Sequence, residues 1–473
     1  FAISCSTTEE SGIYGDWGFP SESAYGEKYK EYDENPFLEV KENPISTFSV
    51  DADGAAYANM RRYVNLGQLP PKQSVRIEEF INYFTFNYPE PTDDESISLN
   101  SEVATCPWNT EHLLMRVGIK GKTIEEQQLP PSNYVFLIDV SGSMDSPDKI
   151  GILKAGFKTM VDNIRNEDKI AIVTYAGNAG VLLDSTPGSE KDKIKEAIDK
   201  LNARGTTAGY EGLSTAYRIA KESYIKDGNN RIILGSDGDF NAGPSSVEAL
   251  VELVESKRDE GIFITVLGVG GGNLNDHMAE QIANKGNGNY EYIDSAEEIE
   301  KIFVHERSKF YTIAKDTKIQ LTFNPEKVKS YRLIGYENRL LNNEDFEDDK
   351  KDAGEIGVGQ TITAMYEIVP EISQDENTPI SFADFDVRYK KTNDNNSRLV
   401  SEKIVYDKAI EINQSGEDIR FATSVTAFGL ILRDSEYKGT ANKQMILELA
   451  EGAVSFDPQG YRKKFIELVK KIK

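Results

Sequence analysis

The chain has 473 residues, which is too long for one compact core, so its length predicts two or three structural units. Hydrophobic residues make up 38% and charged residues 28%, a composition typical of folded globular proteins. The formal net charge of −25 would repel phosphate backbones and anionic lipid headgroups, which argues against a nucleic-acid-binding protein.

The N-terminal residues Phe-Ala-Ile-Ser-Cys resemble the end of a bacterial lipoprotein signal peptide, although Ala2 stands where such signals usually carry leucine. The pattern favours lipidation of Cys5 over a free cysteine in a disordered tail. With Cys106 as its one other cysteine, the chain can form at most one disulfide. Residues 6–43 are polar and lack sustained periodicity, so we predict that residues 1–43 form a lipoprotein-type N-terminus and a loosely ordered tether.

The next segment, residues 44–131, is predicted to combine helices and strands. Apolar side chains share one face in each of two helical stretches, which the Pro70-Pro71 pair separates. Alternating patterns follow. The predicted elements are helices at 53–66 and 75–84 and strands near 97–105 and 112–120.

Residues 132–310 alternate between short apolar runs and helical stretches, a pattern typical of a mostly parallel sheet covered on both faces. Strands are predicted at 134–138, 169–175, 181–183, 231–234, 262–267 and 290–293. Helices are predicted at 149–164, 189–201, 210–226, 245–260, 276–285 and 296–308.

After this unit, residues 311–410 are predicted to form a β-rich domain and residues 411–473 a helical segment. The predicted strands lie at 318–323, 328–334, 360–368 and 381–389. Because strands occur on both sides of a self-contained α/β unit, we predict that the doubly wound, Rossmann-like sheet is inserted in a β-rich body.

Three separated segments carry hydroxyl and carboxylate side chains at loops of the predicted α/β unit. They are Asp139-Val140-Ser141-Gly142-Ser143, Arg204-Gly205-Thr206-Thr207-Ala208-Gly209 and Ser236-Asp237-Gly238-Asp239. Loops at the carboxyl ends of strands gather at one edge of such a sheet, where ligands bind. Each segment alone is a weak signal, because Ser and Asp are common in turns and helix caps. Their order and their placement after strands favour a metal site.

The predicted site offers only oxygen ligands, which suits a hard cation. Mg²⁺ prefers octahedral oxygen coordination, retains waters and uses one or two carboxylates. We therefore expect Mg²⁺, with Mn²⁺ and Ca²⁺ as alternatives. Neutral hydroxyls would leave the ion able to attract a carboxylate from a partner.

Residues 132–308 resemble a von Willebrand factor A domain, and the three segments resemble its metal-ion-dependent adhesion site (MIDAS). In that family the serines and the threonine coordinate directly, and the aspartates act directly or through water. The implied metal-binding residues are Asp139, Ser141, Ser143, Thr207 and Asp237. Thr206 is the alternative to Thr207. The rim of the site is predicted to include Thr206, Asp239, Asn241 and Asn273, with ordinary turn chemistry as the alternative interpretation.

The similarity extends over residues 36–473 and indicates a bacterial family of A-domain proteins. The segments NPISTFSVD (43–51), GQLPP (67–71) and RIEEFINYF (76–84) resemble its N-terminal part. The segments YRLIGYENR (331–339), DAGEIG (352–357) and LRDSEY (432–437) resemble its C-terminal domain of unknown function.

These patterns predict a divalent-cation-dependent binding protein rather than an enzyme. We expect an adhesion or assembly module on a bacterial cell-envelope lipoprotein, in the outer membrane and facing the periplasm or the surface. Its partner would be a protein that presents an acidic residue, and a lipid anchor would be its one contact with the membrane. An adaptor that works with an ATPase complex is the main alternative. A metal-dependent hydrolase is a weaker one, since the predicted site offers no obvious general base and no second set of metal ligands.

Overall fold

The computed structural model describes residues 26–472, apart from positions 52, 93, 177, 204–208, 239–246, 372–379, 393, 395 and 407–409. Within these residues, an α/β domain is inserted between the two halves of a β-rich body, and helices cover one side. The predicted fold class is confirmed.

The part of the chain before the α/β domain supplies strands and helices to the body. The strands are β1 (Leu38–Glu39), β2 (Ile45–Ser49), β3 (Ile97–Thr105) and β4 (Leu113–Gly121). The helices are α1 (Ala55–Asn65) and α2 (Ile77–Asn82).

The α/β domain contains six strands and six helices among the described residues. The strands are β5 (Ser132–Asp139), β6 (Lys169–Ala176), β7 (Asn178–Pro187), β8 (Asn229–Ser236), β9 (Phe263–Val269) and β10 (Tyr290–Ile293). The helices are α3 (Ile152–Asn163), α4 (Lys191–Asp199), α5 (Gly209–Glu222), α6 (Val247–Arg258), α7 (Asp276–Lys285) and α8 (Ala296–Glu300).

The sheet of this domain has the strand order β10-β9-β8-β5-β6-β7 and is parallel except for the edge strand β7. Side chains of β5 alternate between its two faces. Val135 and Leu137 pack in one core with helices α5 to α7, whereas Phe136 and Ile138 pack in a second core with helices α3, α4 and α8. Burial on both faces explains the continuous apolar sequence of β5.

The remaining elements complete the body. The strands are β11 (Thr312–Phe323), β12 (Val328–Ile334), β13 (Gly354–Gly357), β14 (Thr361–Pro370), β15 (Ile380–Lys391) and β16 (Ser397–Tyr406). The helices are α9 (Glu417–Arg433), α10 (Lys443–Glu451) and α11 (Tyr461–Lys471).

Two sheets of the body pack face to face, and both combine strands from either side of the α/β insertion. One sheet has the order β1-β12-β14-β4-β3, and the other has the order β13-β11-β15-β16 with β2 paired to β11. Their shared core contains Phe48, Val117, Leu321 and Phe385. Helices α1 and α2 form a separate core with α9 to α11, so the chain's two ends meet in one helical layer.

Helix α1 has two buried faces and joins the layers. Tyr57 and Met60 pack in the core of the helical layer, whereas Ala55 and Ala58 pack in a core of the α/β domain. The small alanine side chains allow the helix to approach strand β10 closely. Helix α1 therefore forms part of the contact between the α/β domain and the rest of the molecule, which we call the seam.

Several predicted elements have different bounds in the structure. The strand predicted at 181–183 is the ten-residue β7, and the helix predicted at 296–308 is an α-helix only to Glu300, followed by a wider helical turn. Strands β1, β2, β13 and β16 were not predicted. Strand β16 lies at an edge and exposes Leu399 and Val405, so its pattern lacks the apolar face on which the prediction relied.

The prediction of a loosely ordered tether over residues 6–43 is wrong for residues 26–43. Residues 6–25 lie outside the described residues. Glu27 is 7% exposed and accepts hydrogen bonds from Arg62 at 2.9 Å and from the Tyr63 hydroxyl at 2.6 Å. Val40 is fully buried. Polar composition suggested mobility, but here the polar side chains make specific pairs with the body.

No helix among the described residues is both long enough and apolar enough to cross a bilayer.

Candidate metal centre

Two neighbouring parallel strands bring the predicted aspartates to one edge of the α/β sheet. Strand β5 ends at Asp139, and β8 ends at Ser236, immediately before Asp237. The two strands pair in register, with Ile138 opposite Gly235. Both carboxylates therefore follow the carboxyl ends of adjacent strands, as the topology rule for ligand sites requires.

The Asp139 carboxylate is fully buried and is held by its neighbours. Its Oδ1 accepts a hydrogen bond from the Ser141 backbone N–H at 2.8 Å, and its Oδ2 accepts one from the Ser236 hydroxyl at 3.3 Å. Burial raises the pKa of Asp139 to about 6, while the bonds from Ser141 and Ser236 oppose that shift and Asp237 adds to it. The carboxylate is thus fixed in orientation.

The two serine side chains lie side by side. A short 3₁₀ turn over Gly142–Met144 follows Ser141, and the hydroxyl oxygens of Ser141 and Ser143 are 3.0 Å apart. Serine hydroxyls are both donors and acceptors, so this pair can turn lone pairs toward a cation. The Ser-x-Ser spacing produces this pairing because the tight turn brings the Ser143 side chain back beside that of Ser141.

The Asp237 carboxylate is fully buried and carries a cationic neighbour. The Lys149 ammonium donates to Asp237 Oδ2 at 2.9 Å, to the Ser143 backbone oxygen at 3.0 Å and to Asn273 Oδ1 at 3.0 Å. Burial raises the pKa of Asp237, but hydrogen bonds from Lys149 and Asn273 outweigh burial and hold it below its usual value.

Four of the five predicted metal ligands can be placed, and they converge: Asp139, Ser141, Ser143 and Asp237. The predicted rim residue Asn273 lies at the same cluster, where it contacts both Asp237 and Lys149. The other predicted residues lie outside the described part of the chain: Thr206, Thr207, Asp239, Asn241 and the lipidation candidate Cys5.

Two residues of the cluster were missed by sequence reasoning. Lys149 was assigned only to a predicted helix, and Ser236 was not among the predicted metal-binding or rim residues. The structure shows instead that Ser236 donates to Asp139 and accepts from the Gly238 backbone N–H at 3.1 Å. Its position directly before Asp237, at the end of a buried strand, was the available signal. Nothing local marks Lys149, since it reaches Asp237 across 88 residues of sequence.

The loop after Asp237 is tightly supported. Gly238 has a φ of +86°, and a Cβ at this position would lie 2.3 Å from the Asn275 backbone nitrogen. Only glycine fits a left-handed conformation with a backbone so close. Asn275 in turn pairs with Lys28 of the N-terminal segment. The loop after Asp237 therefore packs on a residue that is itself paired with a segment from outside the α/β domain.

The donor set fits a hard divalent cation. Carboxylate and hydroxyl oxygens are the ligands that Mg²⁺ and Mn²⁺ accept, and no thiol or imidazole is present among the described residues of the cluster. The position of the Lys149 ammonium beside Asp237 shows that this pocket already attracts positive charge.

Three family profiles match successive parts of the chain. The profile described as von Willebrand factor matches residues 23–116, that of the von Willebrand factor type A domain matches residues 134–239, and that of "Uncharacterized protein YfbK, C-terminal" matches residues 308–473. The protein YfbK of Escherichia coli (strain K12) is 40% identical over 466 residues, which cover 93% of this chain and 80% of that protein. The chain belongs to the YfbK family. As the sequence predicted, this is a bacterial family of A-domain proteins.

Solved structures also match parts of this chain, at lower identity. A von Willebrand factor type A protein from Catenulispora acidiphila is 16% identical, with a TM-score of 0.44, over 80% of this chain and 91% of that one. Proximal thread matrix protein 1 from the mussel byssus, whose own MIDAS motif is described as occupied by zinc, is 26% identical, with a TM-score of 0.31, over 37% of this chain and 44% of that one.

Proposed function

We propose that this YfbK-family chain binds a partner protein through a divalent cation held at the carboxyl edge of the A-domain sheet. The observation that carries the proposal is the convergence of two buried carboxylates, Asp139 and Asp237, with the paired hydroxyls of Ser141 and Ser143. Lys149 offsets one of the two negative charges. A divalent cation would offset more of the desolvation cost, which is several kcal/mol for an uncompensated carboxylate.

The proposed ion is Mg²⁺, with Mn²⁺ and Ca²⁺ as alternatives. Asp139, Ser141, Ser143 and Asp237 would hold it, and Thr207 is the fifth proposed ligand. When bound, the ion would supply an electron-poor position for a carboxylate of the partner protein. The chain's own residues keep the site ready, since Ser236 and the Ser141 backbone orient Asp139 before any ion binds.

Binding fits the described site better than hydrolysis. Both oxygens of Asp139 accept hydrogen bonds from neighbouring residues, and Asp237 accepts one from Lys149. A general base needs a carboxylate within reach of a water that it can deprotonate. These two carboxylates are committed to holding the loop and, by our proposal, the ion.

The proposed setting is the bacterial cell envelope, with a lipid on Cys5 as the anchor of an outer-membrane lipoprotein. The support is the pattern of residues 1–5 alone. Mass spectrometry of the N-terminus from native cells tests it. A diacylglyceryl mass on Cys5 is expected, and an unmodified cysteine would contradict the anchor without affecting the metal site.

Calorimetric titration with Mg²⁺ and Mn²⁺ tests the metal site. The double variant Ser141→Ala/Asp237→Ala is expected to bind one cation fewer than the wild type. Ser146→Ala is the matched control. It removes a hydroxyl from the same loop that, among the described residues, donates to Asp148 at 2.6 Å, and it should bind like the wild type. Equal stoichiometry in the double variant and the wild type would overturn the assignment.

Capture from native membranes tests the partner. The immobilised wild type should retain a protein in Mg²⁺ and release it on chelation, and the double variant should not retain it. If the wild type and the double variant retain the same protein, and chelation does not release it, the interaction does not use this site.

A further inference from the structure

A second group of acidic side chains lies at the seam, away from the adhesion site. Asp51 and Asp53 follow strand β2, and Glu79 lies on helix α2. Each offers a carboxylate oxygen within 4.8 Å of the other two, and their exposed fractions are 3%, 2% and 1%. Like charges packed so closely in a buried place need compensation.

Two arginines pair with the carboxylates at the seam. Arg339 lies 2.8 Å from Asp51 and 3.5 Å from Asp53. Arg76 pairs with Glu79 and, at 2.6 Å, with the buried Asp276 of helix α7. In the part of the chain that the structure describes, these two arginines thus serve four buried carboxylates. Carboxylates therefore outnumber guanidinium groups where these side chains meet.

The three carboxylates are held in place by backbone groups. Asp51 Oδ1 accepts a hydrogen bond from the Asp53 backbone N–H at 3.0 Å, and Asp53 Oδ1 accepts one from the Tyr290 backbone N–H at 2.9 Å. Glu79 Oε2 accepts one from the Ala56 backbone N–H at 2.8 Å. Side chains fixed in this way need no rearrangement to take up an ion, which lowers the entropy cost of binding.

One oxygen of the cluster points to a ligand. Asp53 Oδ2 is buried, and no group among the described residues donates a hydrogen bond to it. Its charged neighbour, Arg339, is too distant for one at 3.5 Å. A buried acceptor without a donor costs about 1 to 3 kcal/mol, and more when it is charged. A cation bound to this oxygen would remove that cost.

The cluster also has room for the waters that a cation retains. Asp51 and Asp53 line a cleft of about 340 Å³ between the A domain and the body. Asn338 lines the same cleft, and its buried Oδ1 likewise has no donor among the described residues. Both oxygens are acceptors, so the chemistry favours a cation over an anion.

We propose that the seam holds a second hard divalent cation, bound by Asp51, Asp53 and Glu79. This site is independent of the adhesion site. It fixes the A domain to the body, because Asp53 bonds to Tyr290 on strand β10 and Glu79 shares Arg76 with Asp276 on helix α7. Ca²⁺ is the favoured ion, since it accepts three carboxylates and several waters in flexible geometry.

Titration of the full chain with Ca²⁺ and Mn²⁺ after chelation tests the proposal. The wild type should bind two cations, and the adhesion-site variant Ser141→Ala/Asp237→Ala should keep one. Adding Asp53→Asn or Glu79→Gln, whose amides still accept the backbone hydrogen bonds, should remove that remaining cation. Asp294→Asn, a buried seam carboxylate outside the cluster, should leave it bound. If the adhesion-site variant binds no cation, the second site is overturned. If Asp53→Asn alone lowers the number of cations bound by one relative to the wild type, the second site is supported even where the adhesion site itself binds none.

Anomalous diffraction from crystals grown with Mn²⁺ gives a second decision that does not depend on the stability of the variants. A peak in contact with all three carboxylates is expected. A seam without such a peak, in crystals that show Mn²⁺ elsewhere, would overturn the proposal.

Discussion

At the scale of single residues, Lys149 places a positive charge of the chain itself beside Asp237, with 2.9 Å between Nζ and Oδ2. An ammonium so close to a carboxylate of the proposed metal site offsets part of the field that would attract a cation. We predict that Lys149→Met raises the affinity of the adhesion site for Mg²⁺ about tenfold, which corresponds to about 1.4 kcal/mol. Calorimetric titration measures this change.

The matched control for Lys149 is Lys154→Met. Lys154 donates to the backbone oxygens of Asp199 and Leu201, on another side of the domain, so its loss should leave Mg²⁺ affinity unchanged. Weaker binding by Lys149→Met would mean that this lysine orders the site more than it competes with the ion.

At the scale of secondary-structure elements, helices α3 and α8 touch through a glycine. A Cβ on Gly156 would lie 2.1 Å from Ile299 Cδ1 and 2.5 Å from its Cβ, so the two backbones can approach only because this side chain is absent. Overpacking a core costs about 1 to 3 kcal/mol, and the better helix propensity of alanine returns less than about 1 kcal/mol of it. We predict that Gly156→Ala lowers the free energy of unfolding by about 1 to 2 kcal/mol in urea denaturation.

The control at this scale is Gly180→Ala on strand β7, where an added Cβ would meet no atom within 4 Å. This variant should be as stable as the wild type or slightly more stable, because glycine loses more backbone entropy on folding. Equal effects of the two substitutions would show that the contact between α3 and α8 can relax.

At the scale of the whole molecule, Arg61 of helix α1 ties the helical layer to the A domain. Its guanidinium lies 2.6 Å from Asp294 Oδ2 and 2.5 Å from Glu298 Oε2, and these two carboxylate side chains are only 5% and 2% exposed. Removing one partner of a buried pair costs about 3 to 5 kcal/mol, because the other charges stay buried. We predict that Arg61→Met destabilises the protein by about this amount in chemical denaturation.

Lys464→Met is the matched control for Arg61, since Lys464 pairs with the neighbouring Glu297 where both side chains are more than half exposed. Its loss should cost no more than about 1 kcal/mol. A similar small cost for Arg61→Met would mean that solvent reaches Asp294 and Glu298 when the arginine is removed.

The same scale predicts a pH dependence of stability through Glu355 of strand β13. Burial raises the pKa of Glu355 from 4.5 to about 8, with contributions from Asp316 and Asp352 against the opposing Lys315 and Arg231. The folded state keeps this proton where the unfolded chain releases it. The contribution of Glu355 to stability is therefore complete below about pH 4.5 and is lost as the pH rises through about 8.

The stability of the wild type relative to Glu355→Gln should consequently fall by roughly 2 to 4 kcal/mol between pH 5 and 8.5, since one pKa unit is worth about 1.4 kcal/mol. Urea denaturation of both proteins across this range measures the difference. A difference that stays constant with pH would contradict the raised pKa.

The arrangement of the A domain was predictable because its determinants are local. Strand β5 is a continuous apolar run buried on both faces, and the acidic and hydroxyl side chains follow it directly. Residues that directly follow a buried parallel strand lie at the carboxyl edge of the sheet, so their position can be predicted from the local sequence. Asp139, Ser141, Ser143 and Asp237 could therefore be named in advance.

What only the tertiary structure decided lies where distant segments meet. Glu79 looks like a solvated residue on an amphipathic helix, yet it is 1% exposed because helix α2 is covered on more than one side. Asp51 and Asp53 become a cluster with it only when strand β2, helix α2 and strand β10 come together. The spacing of apolar residues predicts one buried face of a single helix or strand. The seam depends on which elements pack against the other faces. The sequence by itself thus determined which carboxyl and hydroxyl groups follow the strands at the edge of the A-domain sheet. The fold determined the contacts of Lys149 and Ser236 and the buried carboxylates at the seam.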